Sequence, residues 1–182
     1  MPIQTAHELF VHELNEMLDC EQKLVEALGE LEQNSNRQEL KKAFAQHREQ
    51  TEGHAERLRE AIQSIEAEEE EAECKGVQGL IEEVHAFMEE DPSPDVIDTF
   101  HVGAAIKTES YEICSYESLV SMAREMGHKK AVQLLQRNLR EEEQTLRKME
   151  GFSKKIKPEQ SGMEEEEEEA GRRRGRRSRR AA

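Results

Sequence analysis

Seven side chains able to ligate a metal ion interrupt apolar stripes that run at helical spacing: Glu21, then His47, Gln50 and His54, then Glu109 and Glu112, then Glu142. Glu21 falls between Leu14, Met17, Leu18 and Leu24, Leu28. His47, Gln50 or Thr51, and His54 precede Leu58 and Ile62 on one stripe. Glu109 and Glu112 are three residues apart, so they share a helix face between Ile106 and Tyr116. Glu142 is seated among Leu135, Leu139 and Leu146, with Glu143 beside it, and spacing alone allows either to face inward. Ionised carboxylates gathered in an apolar core repel one another and lose hydration worth several kcal/mol each. Divalent cations would neutralise them. An oxygen-rich set with one or two imidazoles suits Fe or Mn, whereas a structural zinc site draws on Cys and His.

Helices must position these groups. Thr5-Ala6-His7-Glu8 opens a first helix as a capping box, and Phe10, Leu14, Met17, Leu18, Leu24, Leu28 and Leu31 carry it to about Glu32. A second begins near Asn36, carries Leu40, Phe44, Leu58, Ile62 and Ile65, and ends in the acidic run Glu66–Glu73, read as a frayed, solvated helix end. Gly76–Glu90 reads as a shorter helix stopped by Asp91-Pro92-Ser93-Pro94. A third long helix runs from Asp95 to Gly127 and a fourth from Lys129 to about Ile156.

Two helical hairpins joined by a long connection with its own short helix predict an all-α, ferritin-like four-helix bundle over residues 1–157. Residues 158–182, a Glu run followed by an Arg-rich stretch, read as a disordered tail. Depth supports one site. Glu21 lies 12 residues before the turn at Gln33, and His47 lies 11 after Asn36. Both therefore sit about 17 Å from that turn. Glu112 and Glu142 match in the same way across Gly127. Two Glu-x-x-His matches, Glu82 with His85 and Glu125 with His128, fall on the crossover helix and at a helix end, and read as decoys. His7, His12 and His101, near helix starts, read as surface residues.

Charged residues make up 37% and aromatics 4%, with no Trp, a profile that favours helices over a sandwich or barrel. The net charge of −15 belongs to the body, since Glu164–Glu169 and seven arginines in the tail nearly cancel. Such a body attracts cations and repels nucleic acid. Only the tail would bind a phosphate backbone, and without sequence specificity. No apolar run is long enough to span a bilayer, and the N-terminus lacks signal-peptide features, so a cytoplasmic protein is expected. Cys20, Cys74 and Cys114 read as reduced thiols. We find no internal repeat, Gly-rich phosphate loop or nucleophile elbow.

The segments LFVHELNEMLDCEQKLVEAL, QELKKAFAQHREQTEGHAERL, ECKGVQGLIEEV, AAIKTESYEICSYESL and AVQLLQRNLREEEQTL, spread over residues 5–155, resemble the YciE/YciF-type ferritin-like family of bacterial stress-associated proteins. The resemblance implies a fold similar to rubrerythrins and manganese catalases, a dinuclear-type metal centre in the bundle, and a homodimer. It marks Glu21, the His47–Gln50 region, Glu109, Glu112, and Glu142 or Glu143. Relatives commonly carry Glu where this chain has Gln50, and often His where it has Ser110. A neutral Gln cannot bridge two cations, which weakens metal retention if Gln50 is a ligand. The leading expectation is a stress-response metalloprotein with two Fe or Mn ions that react with oxygen or peroxide, with Tyr111 or Tyr116 as electron or hydrogen-bond donor. The alternative is a metal-poor dimeric scaffold that contacts partners through its charged tail. The sequence leaves open whether the protein is an enzyme.

Overall fold

The computed structural model describes residues 3–156, and the expected tail lies outside them. Five helices follow in order: α1 (Ala6–Asn34), α2 (Gln38–Ser64), α3 (Lys75–Glu89), α4 (Pro94–Glu125) and α5 (Lys129–Lys155). Apart from the C-terminal end of α2, their bounds agree with the sequence reading to within two residues because strong punctuation sets them. Thr5 Oγ1 accepts from the Glu8 amide at 3.1 Å, and Glu8 returns the bond to the Thr5 amide at 2.8 Å. Pro94 opens α4, and Gly127, at φ +76°, closes the α4–α5 turn.

The long helices form a ring in the order α1, α2, α5, α4. Residue pairs fix the directions. Ser35 at the end of α1 meets His101 near the start of α4, while Phe10 near the start of α1 stacks on His128 after α4. Gln46 reaches Lys148, and Glu60 reaches Lys130, across α2 and α5. Each neighbouring pair is therefore antiparallel, α2 and α4 run the same way, and the connection between them must travel the length of the bundle. This is the ferritin-like arrangement.

The crossover corrects one expectation. Glu66–Glu73 is not a frayed helix end. Glu66 takes a left-handed conformation at φ 59° that stops α2, and the segment then crosses to α1 as an extended strap. Side chains of α1 hold it there: Asn15 accepts from the Glu70 amide at 2.9 Å and Asp19 from the Cys74 amide at 2.7 Å. Repulsion among closely spaced glutamates removes the incentive to continue the helix. α3 then lies along α1 and α4 with only Val77 fully buried. Its first turn touches Tyr111, whose ring fills the space a Cβ at Gly76 would take, and its last turn stacks Phe87 on Phe100 at 3.7 Å.

His101 corrects another expectation. It is buried, because α4 begins at Pro94 and carries it two turns in, against Ser35 Oγ at 3.0 Å. Nearby, Asp98 accepts from the amides of Asn36 and Arg37, so α4 supplies the carboxylate that opens α2.

Apolar side chains gather in two clusters rather than one. Phe10, Leu14, Leu58, Leu119 and Leu135 belong to the first; Leu28, Phe44, Val102 and Met149 belong to the second. The polar interruptions fall between them, at mid-height.

Glycine substitutions test the backbone. Gly127→Ala is expected to cost about 1 kcal/mol, since the residue has open space but a left-handed φ. Gly103→Ala, on an exposed helical face with nothing within 4 Å, is expected to stabilise by about 0.5–1 kcal/mol. Chemical denaturation measures both, and equal signs would contradict the turn geometry.

Candidate metal centre

Four carboxylates and two imidazoles from four helices meet between the apolar clusters, all buried: Glu21 from α1, His47 and His54 from α2, Glu109 and Glu112 from α4, and Glu142 from α5. They form two groups of potential ligand atoms, each spanning less than 4.8 Å. One comprises His47, Glu109, Glu112 and Glu142; the other Glu21, His54 and Glu142. Glu142 belongs to both. Its phase on α5, in line with Leu135 and Met149, turns it inward, while Glu143 faces Arg147 and is 42% exposed.

Gln50 stands apart, and this corrects its placement in the site. It is exposed and lines a surface pocket with Gln46, Glu49, Arg57, Arg137 and Glu141. The inward stripe of α2 passes through His47, Thr51, His54 and Leu58, and Gln50 is rotated off it toward α5. Ser110 is likewise exposed.

The second tier of contacts orients the ligand atoms. His47 Nδ1 lies 3.5 Å from Thr145 Oγ1, leaving Nε2 to face Glu109 at 2.9 Å and Glu142 at 3.9 Å. His54 Nε2 lies 3.0 Å from Glu141, itself gripped by Arg57 and by Arg137 at 3.0 Å, so Nδ1 faces Glu142 at 2.6 Å and Glu21 at 3.5 Å. An imidazole held at its far nitrogen by a carboxylate is the usual support of a metal-ligating histidine. Tyr116 O–H donates to Glu21, Asn138 Nδ2 donates to Tyr116 at 2.8 Å, and Arg57 donates to Asn138. Sequence reasoning missed Asn138, Glu141 and Thr145 as supports. Asn138 and Thr145 lie four residues before and three after Glu142, so polarity continuing along that stripe was the signal. Tyr111 faces the other way, its hydroxyl 3.1 Å from Cys74 Sγ.

These supports leave the inner atoms without partners. Among the described residues, nine buried side-chain polar atoms lack a hydrogen bond, and seven belong to this cluster: both oxygens of Glu112 and Glu142, one each of Glu21 and Glu109, and His54 Nδ1. His54 Nδ1 and Glu142 Oε1 are close without hydrogen-bond alignment. A core normally satisfies such atoms, and leaving one unpaired costs about 1–3 kcal/mol. Atoms that converge without bonding one another fit a cation between them.

Protonation tells the same story. Burial raises the Glu109 carboxyl to about 8, with the adjacent Glu142 carboxyl acting in the opposite sense. Burial, then Glu142 and Glu21, pushes Glu112 far up. Burial lowers the His47 imidazole, which favours the neutral form a ligand needs. Burial also pulls His54 down, but Glu21 and Glu142 together outweigh it and hold it up to about 10. Without cations, protons must take their place.

Residues 5–161 match the family described as a domain of unknown function, DUF892. Protein YciF of Escherichia coli (strain K12) is 34% identical over 146 residues, 80% of this chain and 88% of that protein. The crystal structure of the E. coli stress protein YciF superposes with a TM-score of 0.80 at 32% identity, covering 83% of this chain and 96% of that one. YcfI of Rhodopseudomonas palustris gives 0.79 at 30% identity, over 81% and 94%. Among the described residues no helix is long and apolar enough to cross a membrane.

Stripped of divalent ions by a chelator, the protein is expected to lose stability as pH rises. The folded pKa of Glu109, about 8, stands above its ordinary 4.5, so its contribution is full below pH 4.5 and disappears as pH rises through 8. His54 acts in the same sense over a higher window, full below 6.5 and lost as pH rises through about 10. Denaturation midpoints across this range measure the slope. Glu109→Gln should flatten it between about pH 5 and 8, and a pH-independent wild type would contradict the assignment.

Proposed function

The chain belongs to the DUF892 family, and on that premise we propose that it is a stress-response metalloprotein that binds two Fe or Mn ions in its core and reacts with oxygen or peroxide. The observation that carries the reading is the set of seven buried, unpartnered ligand atoms divided into two groups that share Glu142. Charge balance agrees: four carboxylates with neutral imidazoles carry −4, and two divalent cations bring the cluster to neutrality. Donor chemistry favours Fe or Mn, since each group combines carboxylates with one imidazole and no thiolate.

His47, Glu109 and Glu112 would hold one ion, Glu21 and His54 the other, and Glu142 would bridge. When bound, such ions supply one-electron redox chemistry and coordination positions for an oxygen-based oxidant. The chain's own residues set the conditions. Glu141, pinned by two arginines, holds His54 in place; Tyr116 and Asn138 hold Glu21; and the apolar clusters at both ends keep bulk water out. Likeness to a stress protein supports the physiological part of the reading.

Elemental analysis of protein purified without chelator is expected to give about two Fe or Mn per chain. Substoichiometric metal that washes out under mild chelation would favour the metal-poor scaffold instead.

Variants sharpen the assignment. Glu142→Ala should lose both ions because both groups use it, whereas Glu21→Ala should lose about one. Gln50→Glu should leave the stoichiometry unchanged, and tighter binding in that variant would mean that Gln50 reaches the site after all.

A further inference from the structure

α3 does more than return the chain to the far end of the bundle. Beneath it, between α1 and α4, lies a cavity of about 30 Å³. It extends from Glu30 and His85, a half-exposed pair 2.7 Å apart, inward to the buried His47, Glu109 and Glu112. Leu24, Leu28, Leu80, Val84, Ala104 and Ala105 form much of its wall. At the inner end, both oxygens of Glu112 and one of Glu109 lack partners. The passage therefore joins the surface to the ligand atoms through an apolar throat.

Size and polarity select what can use it. A water-sized molecule needs at least about 10–15 Å³ of such space, so the cavity holds one or two small molecules, while organic ligands need pockets of about 300 Å³ or more. Peroxide or superoxide would shed hydrogen-bonded water along the apolar stretch of the throat, where the Thr108 hydroxyl is the one polar group short of the buried carboxylates. Dioxygen carries no such hydration. We propose that the gap under α3 is a dioxygen entry route to the metal centre, with Ala104 and Ala105 setting its width and the Glu30–His85 pair closing its mouth. An exposed pair of this kind is weak and opens readily. The inference rests on the metal reading above and narrows its oxidant to dioxygen.

Two measurements test it on the full chain. Xenon, an apolar probe of similar size, is expected to bind under α3 in the wild type, read by 129Xe NMR or in pressurised crystals, and to be excluded by Ala105→Leu. In stopped-flow mixing of the Fe(II)-loaded protein, the reaction read is the loss of one electron from each of two Fe(II) and the uptake of two electrons and two protons by dioxygen to give hydrogen peroxide. Ala105→Leu should slow this at least tenfold with the Fe(II) stoichiometry unchanged, and should leave oxidation by added hydrogen peroxide within about twofold. Ala104→Val, a smaller change, should slow the dioxygen reaction less and guards against a folding defect in the larger variant. Absence of xenon from the cavity overturns the proposal, as does an unchanged dioxygen rate in a variant that excludes xenon, or equal slowing of both oxidants. A wild type that takes up xenon yet holds no ions defeats the metal reading and the route with it. Two bound ions with an unaltered dioxygen rate defeat the route alone.

Discussion

Four carboxylates share one low-dielectric space with two imidazoles, and the rest of the architecture answers to that repulsion. Each carboxylate has given up water and gained a like-charged neighbour. Glu112 states the problem most sharply, with two buried oxygens and no donor for either. A chain that folds around such a cluster must hold it with interactions made elsewhere. The two apolar clusters do this from above and below, where each fully buried Leu or Phe contributes about 1.5–3 kcal/mol. Protons and cations compete for the same atoms, and the raised carboxyls of Glu109 and Glu112 record what happens when protons win.

The supports around the cluster are directional and unequal. His54 is held from outside by a carboxylate that two arginines immobilise, so its inner nitrogen has little freedom. His47 has only a hydroxyl at 3.5 Å behind it. Glu21 receives a tyrosine hydroxyl that is itself fixed by Asn138. The Glu21–His54 side of the centre is thus the better braced, and the side that faces the α3 cavity is the more open.

Helix number, order and bounds were legible in the sequence because Thr5, Pro94 and Gly127 punctuate strongly and the apolar period is unbroken elsewhere. The arrangement of the hairpins followed from the length of the crossover. Six of the seven candidate ligands gather in one place because depth along a helix can be counted from a turn. Gln50 does not join them. A stripe drawn broadly through His47, Gln50, Thr51 and His54 took it in and the family resemblance reinforced it, whereas rotational phase along His47, Thr51, His54 and Leu58 points it outward. Phase alone could not separate Glu142 from Glu143, since adjacent residues differ by only about 100° and α5 had to be docked to decide. His101 and the Glu66–Glu73 strap escaped for another reason. Their environments are made by partners distant in sequence, Ser35 in one case and Asn15 with Asp19 in the other.

The two ends of α3 are fastened by contacts of different kinds: Tyr111 seated against Gly76 at one, the paired rings of Phe87 and Phe100 at the other. The helix is in effect a beam resting on two abutments, with Ile81 and Val84 only partly buried along its span. Side chains along that span can change in bulk without shifting the abutments. Evolution, or an engineer, can therefore tune the clearance beneath α3 without disturbing the bundle it bridges.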